Sequence, residues 1–506
     1  MSGTETVEEY TVVADKVPAK IEIRDEDDYV KRYRLKRPQP SAATEAVLDE
    51  IKRKTIAEAD ISTESFEDSN EMAESRKIFR STAEDILADQ LPGLDDSKVS
   101  TLIGNLIHSM LGLGDVEILL SDNDLEEIVI NNSKEPAWAY HKEYGWLKTD
   151  ITFDSESQIY NYASEVGRGV GKSISSLHPL LDAHLPSGDR TNATISPIST
   201  KGNTITIRKF ARDPWTITDF IKIGSISAEM AAFLWLCIQY EMNVIVSGGT
   251  GSGKTSLLNV LTPFMPPSQR ILSIEDTREL SLPEFLHWVP MTTREANPDG
   301  EGEVSMQDLL VNSLRMRPDR ILVGEIREKR QAEVLFEAMQ TGHSVYSTLH
   351  ADTADTTIKR MTNPPIDVPE AVVGAVDLNV VMFRDRRRNF RRVLEIAEVI
   401  EEDEDLNAHT IYDWNSQEDR FYKQDNSNEL MSKLKMVTGM SQEEIDDNVD
   451  EKQMILEWMV DNDIDELEEV GRVIAEYYSG GEEVIDKIRE GVEPEEIIPV
   501  DEENDS

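Results

Sequence analysis

The chain has 506 residues, enough for more than one domain at about 150 residues per domain. Its 99 acidic residues outnumber the 52 basic ones and give a formal net charge of −47, so the average surface repels nucleic acid and anionic lipid. This balance argues against a nucleic-acid-binding protein and is typical of an acidic surface adapted to a salty cytoplasm.

The sequence indicates a reducing compartment and lacks a membrane-spanning segment. Cys237 cannot form an internal disulfide, and it lies in the apolar run AAFLWLCIQY, where a buried thiol is expected. The start, MSGTETVEEYTVVADK, has no basic region followed by an apolar one, and no run of about 18 apolar residues occurs. We therefore expect a cytoplasmic protein whose membrane contact is peripheral.

The first half of the chain is predicted to contain a leader, a small domain and a linker. Residues 1–95 are rich in charge and poor in large apolar side chains, which predicts a mobile acidic region with short helices. Residues 96–210 mix helical patterns with short strands and predict a compact α/β domain. The segment 211–224 carries Pro214 and Gly224 and is predicted to be a hinge linker between two rigid bodies.

The second half is predicted to be a larger α/β domain with a helical extension. Residues 225–400 alternate apolar strands such as NVIVSG and RILVGEI with helical patterns, which favours a mainly parallel sheet covered on both faces. Residues 401–506 are acidic and carry apolar side chains at helical spacing, so a helical appendage is expected. The last residues, EENDS, are predicted to be unstructured.

A glycine-rich stretch, GGTGSGKT, matches the pattern G-x-x-x-x-G-K-[ST] between a strand-like and a helix-like segment. Glycines allow turns that direct successive backbone N–H groups at phosphate oxygens. Lys254 is expected to reach the β and γ phosphates of ATP, and the Thr255 hydroxyl to ligate Mg²⁺. A glycine-rich turn with a chance lysine is the alternative. The predicted ATP-binding residues are Gly248, Gly249, Thr250, Gly251, Ser252, Gly253, Lys254, Thr255 and Ser256. We call Gly248–Thr255 the phosphate loop.

Carboxylates that could act beside this loop follow two other apolar strands. Many phosphate-loop enzymes end such a strand with Asp, but RILVGEI has Gly324 there and Glu325 next. We predict that Glu325 orients or deprotonates water and holds Mg²⁺ indirectly; a glutamate that only leads a helix is the alternative. Glu275 and Asp276 follow the strand RILSI. Ligands bind at the carboxyl ends of such strands, so these carboxylates are expected to converge, with Glu275 the second candidate base.

Two histidines flank one further strand, in QTGHSVYSTLHAD. A zinc site would need more ligands, and Cys237 is far away in sequence. For His343 or His350 alone, a core or surface residue is the better explanation. The pair on one strand favours a sensor of the γ-phosphate.

Four motifs in order resemble those of the type II/type IV secretion ATPase superfamily: Walker A (GGTGSGKT), Asp box (ILSIEDTREL), an atypical Walker B (RMRPDRILVGEIRE) and His box (TGHSVYSTLHAD). Upstream, HPLLDAHLPSGDRTNATISP and TITIRKF resemble the family's N-terminal domain. The ending ILEWMVDNDIDELEEVGRVIAEYY, without a tetracysteine insert, resembles the archaeal branch of archaellum motors and adhesion-pilus ATPases. The resemblance implies a RecA-like ATPase domain behind a smaller α/β domain.

The resemblance also implies partners and further site residues. Members are homo-hexameric rings that use ATP and Mg²⁺ to drive filament assembly or secretion through a polytopic membrane platform protein. By the family's pattern, Arg190 in SGDR and Arg208 in TIRKF are candidate arginines that reach the nucleotide, with one or both acting on charge in the transition state. A surface ion pair is the alternative for each arginine.

Three other functions remain open. A pilus-retraction or substrate-export ATPase would use the same chemistry on another cargo. A nucleic-acid translocase would need a basic, aromatic-lined groove, which the acidic composition disfavours. A structural ring that uses ATP only for assembly would not need Glu325 as a base.

One dense basic patch, FRDRRRNFRR, lies between two apolar strands and is predicted to be a hairpin tip. It is expected to dock on acidic platform loops or lipid head groups, or else to compensate the acidic tail locally. We call this segment, residues 383–392, the basic hairpin; its arginines are Arg384, Arg386, Arg387, Arg388, Arg391 and Arg392.

Overall fold

The computed structural model describes residues 5–26, 29–37, 42–58, 69–90, 93–185, 188–210, 214–296, 300–402, 405–424 and 429–498. The chain divides into two compact units, Met1–Arg212 and Asp213–Ser506. In those ranges, each helix is too short or too polar to cross a membrane. The predicted unstructured end, EENDS, lies outside the described residues.

Unit 1 is built on one sheet, in the order β1-β2-β3-β6-β5-β4-β9-β8-β7. Neighbouring strands run antiparallel, except that β3 and β6 run parallel. The strands are β1 (Glu5–Ala14), β2 (Val17–Asp25), β3 (Arg32–Lys36), β4 (Leu125–Ile130), β5 (Trp138–His141), β6 (Gly145–Thr149), β7 (Leu180–His184), β8 (Arg190–Thr194) and β9 (Thr204–Arg208).

The helices of unit 1 form two cores. Ile128 and Ile207 of the sheet share one buried cluster with Leu119 and Ile159 of α4 and α5. A smaller cluster, which includes Phe79, joins the first three helices. The helices are α1 (Ala42–Glu58), α2 (Ser69–Gln90), α3 (Asp96–Leu111), α4 (Val116–Ser121) and α5 (Glu156–Arg168).

The first three strands correct the predicted mobile leader of residues 1–95. In β2, Val17, Ala19 and Ile21 are buried while Pro18 and Lys20 between them are exposed, the period-two pattern of a strand with one face in the core. The high charge of residues 1–95 hides this alternation when composition is averaged over the whole segment. The sheet therefore joins residues on both sides of the predicted boundary at 95, and the boundary does not separate two bodies.

The structure also differs from the prediction of a hinge linker over residues 211–224. Thr216 caps helix α6 (Ile217–Lys222) with a capping box, and Phe220 on this helix is buried. The buried Thr218 hydroxyl donates to the carbonyl of Ile464 at 2.8 Å. Residues from Thr216 onward are thus fixed in unit 2 rather than forming a loose hinge.

Unit 2 contains a second sheet, in the order β12-β11-β13-β14-β10-β15-β16-β17-β18. The strands from β12 to β15 in this order are parallel, and the rest are antiparallel, so the predicted α/β class with a mainly parallel sheet is confirmed. The strands are β10 (Val244–Gly248), β11 (Ile271–Glu275), β12 (Trp288–Thr292), β13 (Arg320–Val323), β14 (Ser344–Leu349), β15 (Leu378–Asp385), β16 (Phe390–Glu402), β17 (Asp405–Asn415) and β18 (Arg420–Lys423).

The remaining helices of unit 2 contribute to two large buried clusters that contain residues of the sheet. They are α7 (Ala228–Gln239), α8 (Lys254–Val260), α9 (Met306–Ser313), α10 (Lys329–Gln340), α11 (Ala354–Thr362), α12 (Glu370–Val373), α13 (Glu429–Thr438), α14 (Gln442–Asp461), α15 (Leu467–Gly480) and α16 (Glu482–Glu490). Short 3₁₀ turns lie at Thr262–Phe264 and Pro494–Glu496.

The C-terminal region is not the appendage that the sequence analysis predicts for 401–506. Its first part completes β16 and forms β17 and β18, which extend the sheet. The helices that follow pack on α7, where the Trp235 ring stacks on Phe264 at 5.1 Å and its Nε1 donates to the Tyr478 hydroxyl at 2.8 Å. The helical spacing is predicted correctly, but the apolar side chains cover the core of unit 2.

Candidate active site

The phosphate loop follows β10 near the middle of the second sheet. All five residues of β10 are buried, and the strand is parallel to β14 and β15 on its two sides. Gly248, Gly251 and Gly253 have φ of 151°, 71° and 93°, values that favour glycine. A Cβ atom on Gly248 would lie 2.5 Å from the carbonyl oxygen of Met382, so this position also excludes side chains sterically.

The loop holds its lysine in a confined position. Lys254 is 8% exposed, and its Nζ donates to the carbonyl of Gly249 at 3.1 Å. Burial lowers the pKa of Lys254, against the opposing effect of Glu325 and other carboxylates. The buried Ser252 hydroxyl has no hydrogen-bond partner in the part of the chain that the structure describes. A buried ammonium beside an unpaired hydroxyl fits an anion with several oxygens.

The other predicted loop residues lie at its rim and exit. Thr250 and Gly251 are exposed, and we call them the loop tip. Thr255 and Ser256 are half-buried in the first turn of α8, where Thr255 is the residue that would ligate Mg²⁺. The described residues contain no group of three or more His, Cys, Asp or Glu side chains placed to hold a metal ion. The predicted roles of Thr255 and Glu325 towards Mg²⁺ stay predictions.

His350 connects the lysine to the predicted base. Its Nδ1 lies 3.2 Å from Lys254 Nζ, and its Nε2 lies 3.3 Å from Glu325 Oε1. Burial and then the Lys254 charge lower the pKa of His350, while Glu325 opposes them. A neutral imidazole with its proton on Nε2 satisfies both contacts, since Nδ1 then accepts from lysine and Nε2–H donates to the carboxylate.

Arg327 is a site residue that the sequence analysis missed. Its Nε and Nη2 donate to Glu325 Oε2 at 3.0 and 2.9 Å, and its Nη1 donates to Asp276 Oδ2 at 2.9 Å. The guanidinium therefore holds one oxygen of Glu325 and leaves the other to face His350. In the sequence, its position two residues after Glu325 in GEIRE is the feature that could have indicated this role.

Glu275 lies at the end of β11, beside the strand that leads to Glu325. Its Oε1 accepts the backbone N–H groups of Glu279 and Leu280 at 2.9 and 3.1 Å. Its Oε2 is buried and has no partner among the described residues. Burial is the largest influence on this carboxyl and raises its pKa to about 7. Such a group exchanges protons near neutral pH, which keeps Glu275 in place as the second candidate base.

His343 is not part of this arrangement. It precedes β14, whereas His350 follows it, and six residues of strand span roughly 20 Å. Its Nδ1 lies 3.1 Å from the Thr341 hydroxyl and 3.3 Å from the carbonyl of Ala338. The structure therefore does not bring His343 to His350 and Glu325 within one subunit, because two residues that flank a strand lie at its opposite ends. Its predicted γ-phosphate role stays a prediction.

Arg190 and Arg208 belong to unit 1, where they lie directly opposite each other in β8 and β9. Arg190 makes a bidentate ion pair with Asp182, with Nε–Oδ1 at 3.0 Å and Nη2–Oδ2 at 2.6 Å. Arg208 is exposed and stands opposite Glu127 of β4. Their predicted action on the nucleotide stays a prediction.

Comparison with known proteins gives the chain a family context. The model of the family described as "Type II/IV secretion system protein" matches residues 117–378. The uncharacterized protein MJ0900 of Methanocaldococcus jannaschii is 36% identical over 387 residues, which cover 74% of this chain and 69% of that protein. The type IV secretion system protein PtlH of Bordetella pertussis is 31% identical over 312 residues, which cover 55% of this chain and 91% of PtlH.

A solved structure is similar over a comparable span. The VirB11 ATPase of the Brucella suis type IV secretion system, crystallised with sulphate, is 24% identical. The match covers 55% of this chain and 90% of that one, with a TM-score of 0.29.

Proposed function

Because the chain belongs to the type II/IV secretion system protein family, we propose that it is an ATPase that converts ATP hydrolysis into mechanical work. The observation that carries this proposal is the continuous contact from Lys254 through His350 to Glu325. These contacts join the residue expected at the phosphates to the residue expected at the attacking water.

Each residue of the candidate site has a separate role in the proposed reaction. Backbone N–H groups of the phosphate loop and Lys254 hold the phosphates of ATP, the substrate. Glu325 orients or deprotonates the water that attacks the γ-phosphorus, and Arg327 fixes the direction of that carboxylate. Bound Mg²⁺ would neutralise charge on the phosphate oxygens, with Thr255 as its protein ligand.

His350 is suited to report whether the γ-phosphate is present. Its imidazole contacts both the phosphate-binding lysine and the base, so a change in the lysine's partners alters the hydrogen bond to Glu325. Binding of ATP would draw Lys254 Nζ towards phosphate oxygens and release Nδ1. The chain could thereby couple occupancy of the loop to the position of the base.

The family supports a wider proposal about assembly and cargo. We propose a cytoplasmic homo-hexamer that acts on a polytopic platform protein at the inner face of the membrane and drives assembly of an archaeal pilus-like filament. Arg190 and Arg208 would then act on nucleotide charge in the assembled ring. Retraction or export with the same chemistry is the second candidate, and the relative PtlH is named as a type IV secretion system protein.

The decisive experiment measures Mg²⁺-dependent phosphate release by the purified full chain across a range of salt concentrations, with its mass measured with and without nucleotide. We expect hydrolysis that is lost in Glu325→Gln although ATP still binds. Hydrolysis in Glu325→Gln equal to wild type would assign the base elsewhere. A chain that releases no phosphate under any of these conditions would overturn the proposal.

A further inference from the structure

The basic hairpin is placed beside the phosphate loop by the order of the sheet. Strand β15 runs parallel to β10, with Met382 in register with Gly248, the residue at which the loop begins. Two residues further along β15 is Arg384. Strand β16 returns antiparallel and places Arg391 directly opposite Arg384. Arg384 and Arg391 therefore lie at the end of the sheet where the phosphate loop begins.

Both side chains lie against the glycines of the loop. Arg391 Nε donates to the carbonyl oxygen of Gly251 at 3.2 Å. Its Cδ lies 3.3 Å from the place that a Cβ on Gly253 would occupy. Arg384 Nη1 lies 2.7 Å from the place of a Cβ on Gly251. Glycines at these positions thus accommodate the two arginines as well as the turn itself.

We propose that Arg391 and Arg384 are positioning residues that hold the loop tip in its nucleotide-binding conformation and so raise the affinity for a nucleoside triphosphate. This inference rests on the proposed function. The peptide group is planar, so a bond that fixes the Gly251 carbonyl also fixes the direction of the Ser252 N–H. The bond is charge-assisted, because the donor is a guanidinium.

Two general effects then favour binding. A glycine-rich segment loses much conformational entropy when it becomes ordered, and contacts made before the ligand arrives reduce that loss on binding. The two guanidinium charges also lie beside a site for a polyanion in a protein of net charge −47, so they raise the local positive potential.

The other arginines of the basic hairpin have different environments, which provides a matched control. Arg392 pairs with Asp419, and Arg387 and Arg388 donate backbone N–H groups to Asp385, which fixes the turn. The Arg387 side chain is exposed. Neutralising Arg387 therefore removes the same charge from the same hairpin without touching the contacts on the loop.

The test uses the full chain carrying Arg391→Gln, Arg391→Lys, Arg384→Gln or Arg387→Gln. Binding of a fluorescent ATP analogue and steady-state phosphate release are measured for each. We expect Arg391→Gln and Arg384→Gln to raise the Kd and KM about tenfold, while kcat changes less than about twofold. Arg391→Lys should recover part of the loss, and Arg387→Gln should match wild type.

A second measurement does not depend on nucleotide. Hydrogen exchange of the amides in residues 249–253, without ligand, should be faster in Arg391→Gln than in wild type or Arg387→Gln. Unchanged affinity and unchanged exchange in Arg391→Gln and Arg384→Gln would overturn this inference alone. A wild-type chain that binds no nucleotide would overturn the proposed function with it.

Discussion

His350 and Glu325 face each other at the carboxyl ends of two neighbouring strands, with 3.3 Å between Nε2 and Oε1. The opposite ring nitrogen of His350 contacts Lys254, so one imidazole connects the two ends of the candidate site. Four consequences of this arrangement and its surroundings are open to measurement.

Removal of the loop lysine should abolish most nucleotide binding. In Lys254→Ala the phosphates lose a buried cation, and we expect the affinity for MgATP to fall at least about tenfold. Equilibrium binding of ATP measures this effect. Lys222→Ala is the control, because Lys222 lies in the same unit and pairs with Asp463 and Asp465. Equal loss in both variants would contradict a specific role for Lys254.

Substitution of the proposed base should separate binding from chemistry. Glu325→Gln keeps the shape of the side chain but cannot accept a proton from water, so we expect kcat to fall by about 100- to 10,000-fold with little change in ATP affinity. Single-turnover hydrolysis and binding measure the two effects separately. If Glu275→Gln loses hydrolysis and Glu325→Gln does not, Glu275 is the base.

Loss of Arg327 should affect kcat more than KM. Without its guanidinium, Glu325 and Asp276 lose a shared partner, and the carboxylate at the water position becomes free to rotate. We expect Arg327→Ala to lower kcat about tenfold, since small errors of position slow a reaction strongly. Arg330→Ala, an exposed arginine in α10, should behave as wild type. The two variants are compared by steady-state phosphate release.

The buried carboxyl of Glu275 should make stability depend on pH. Its pKa rises from 4.5 to about 7 on folding, so the folded state binds more protons between these values and loses stability as pH rises through them. The substitution Glu275→Gln removes this loss of stability, because glutamine has no carboxyl group to ionise. We expect it to be more stable than wild type at pH 8, by at most about 3 kcal/mol, with a smaller difference at pH 5.

Denaturant unfolding at the two pH values, followed by tryptophan fluorescence, measures the difference. A gain of the same size at both pH values would show that the carboxyl does not change its proton affinity on folding.

The location of Glu275, Glu325 and His350 at one end of the sheet could be predicted, because each ends or follows an apolar strand and the carboxyl ends of parallel strands lie together. The same rule places His343 at the opposite end of β14, because it precedes that strand. Arg327 could not be placed from sequence, because the direction of its side chain depends on Asp276, 51 residues away in the chain.

The strands at the start of the chain could not be predicted from composition. Val17, Ala19 and Ile21 are buried while Pro18 and Lys20 between them are exposed, so the composition averaged over the segment is typical of disorder although these residues alternate regularly. The contact of Arg391 with Gly251 was missed for a related reason. A run of arginines indicates an exposed basic surface, and only the pairing of β15 with β16 shows which of them turn inward.

The packing of α14 on α7 determines how the protein can be shortened. Trp235 and its apolar neighbours on α7 are covered partly by helices that begin after residue 428. A recombinant version ending at residue 424 would retain every strand of the second sheet but expose an apolar surface to solvent, so low yield and aggregation are expected. Preparations of this protein should therefore keep its C-terminal helices through residue 498.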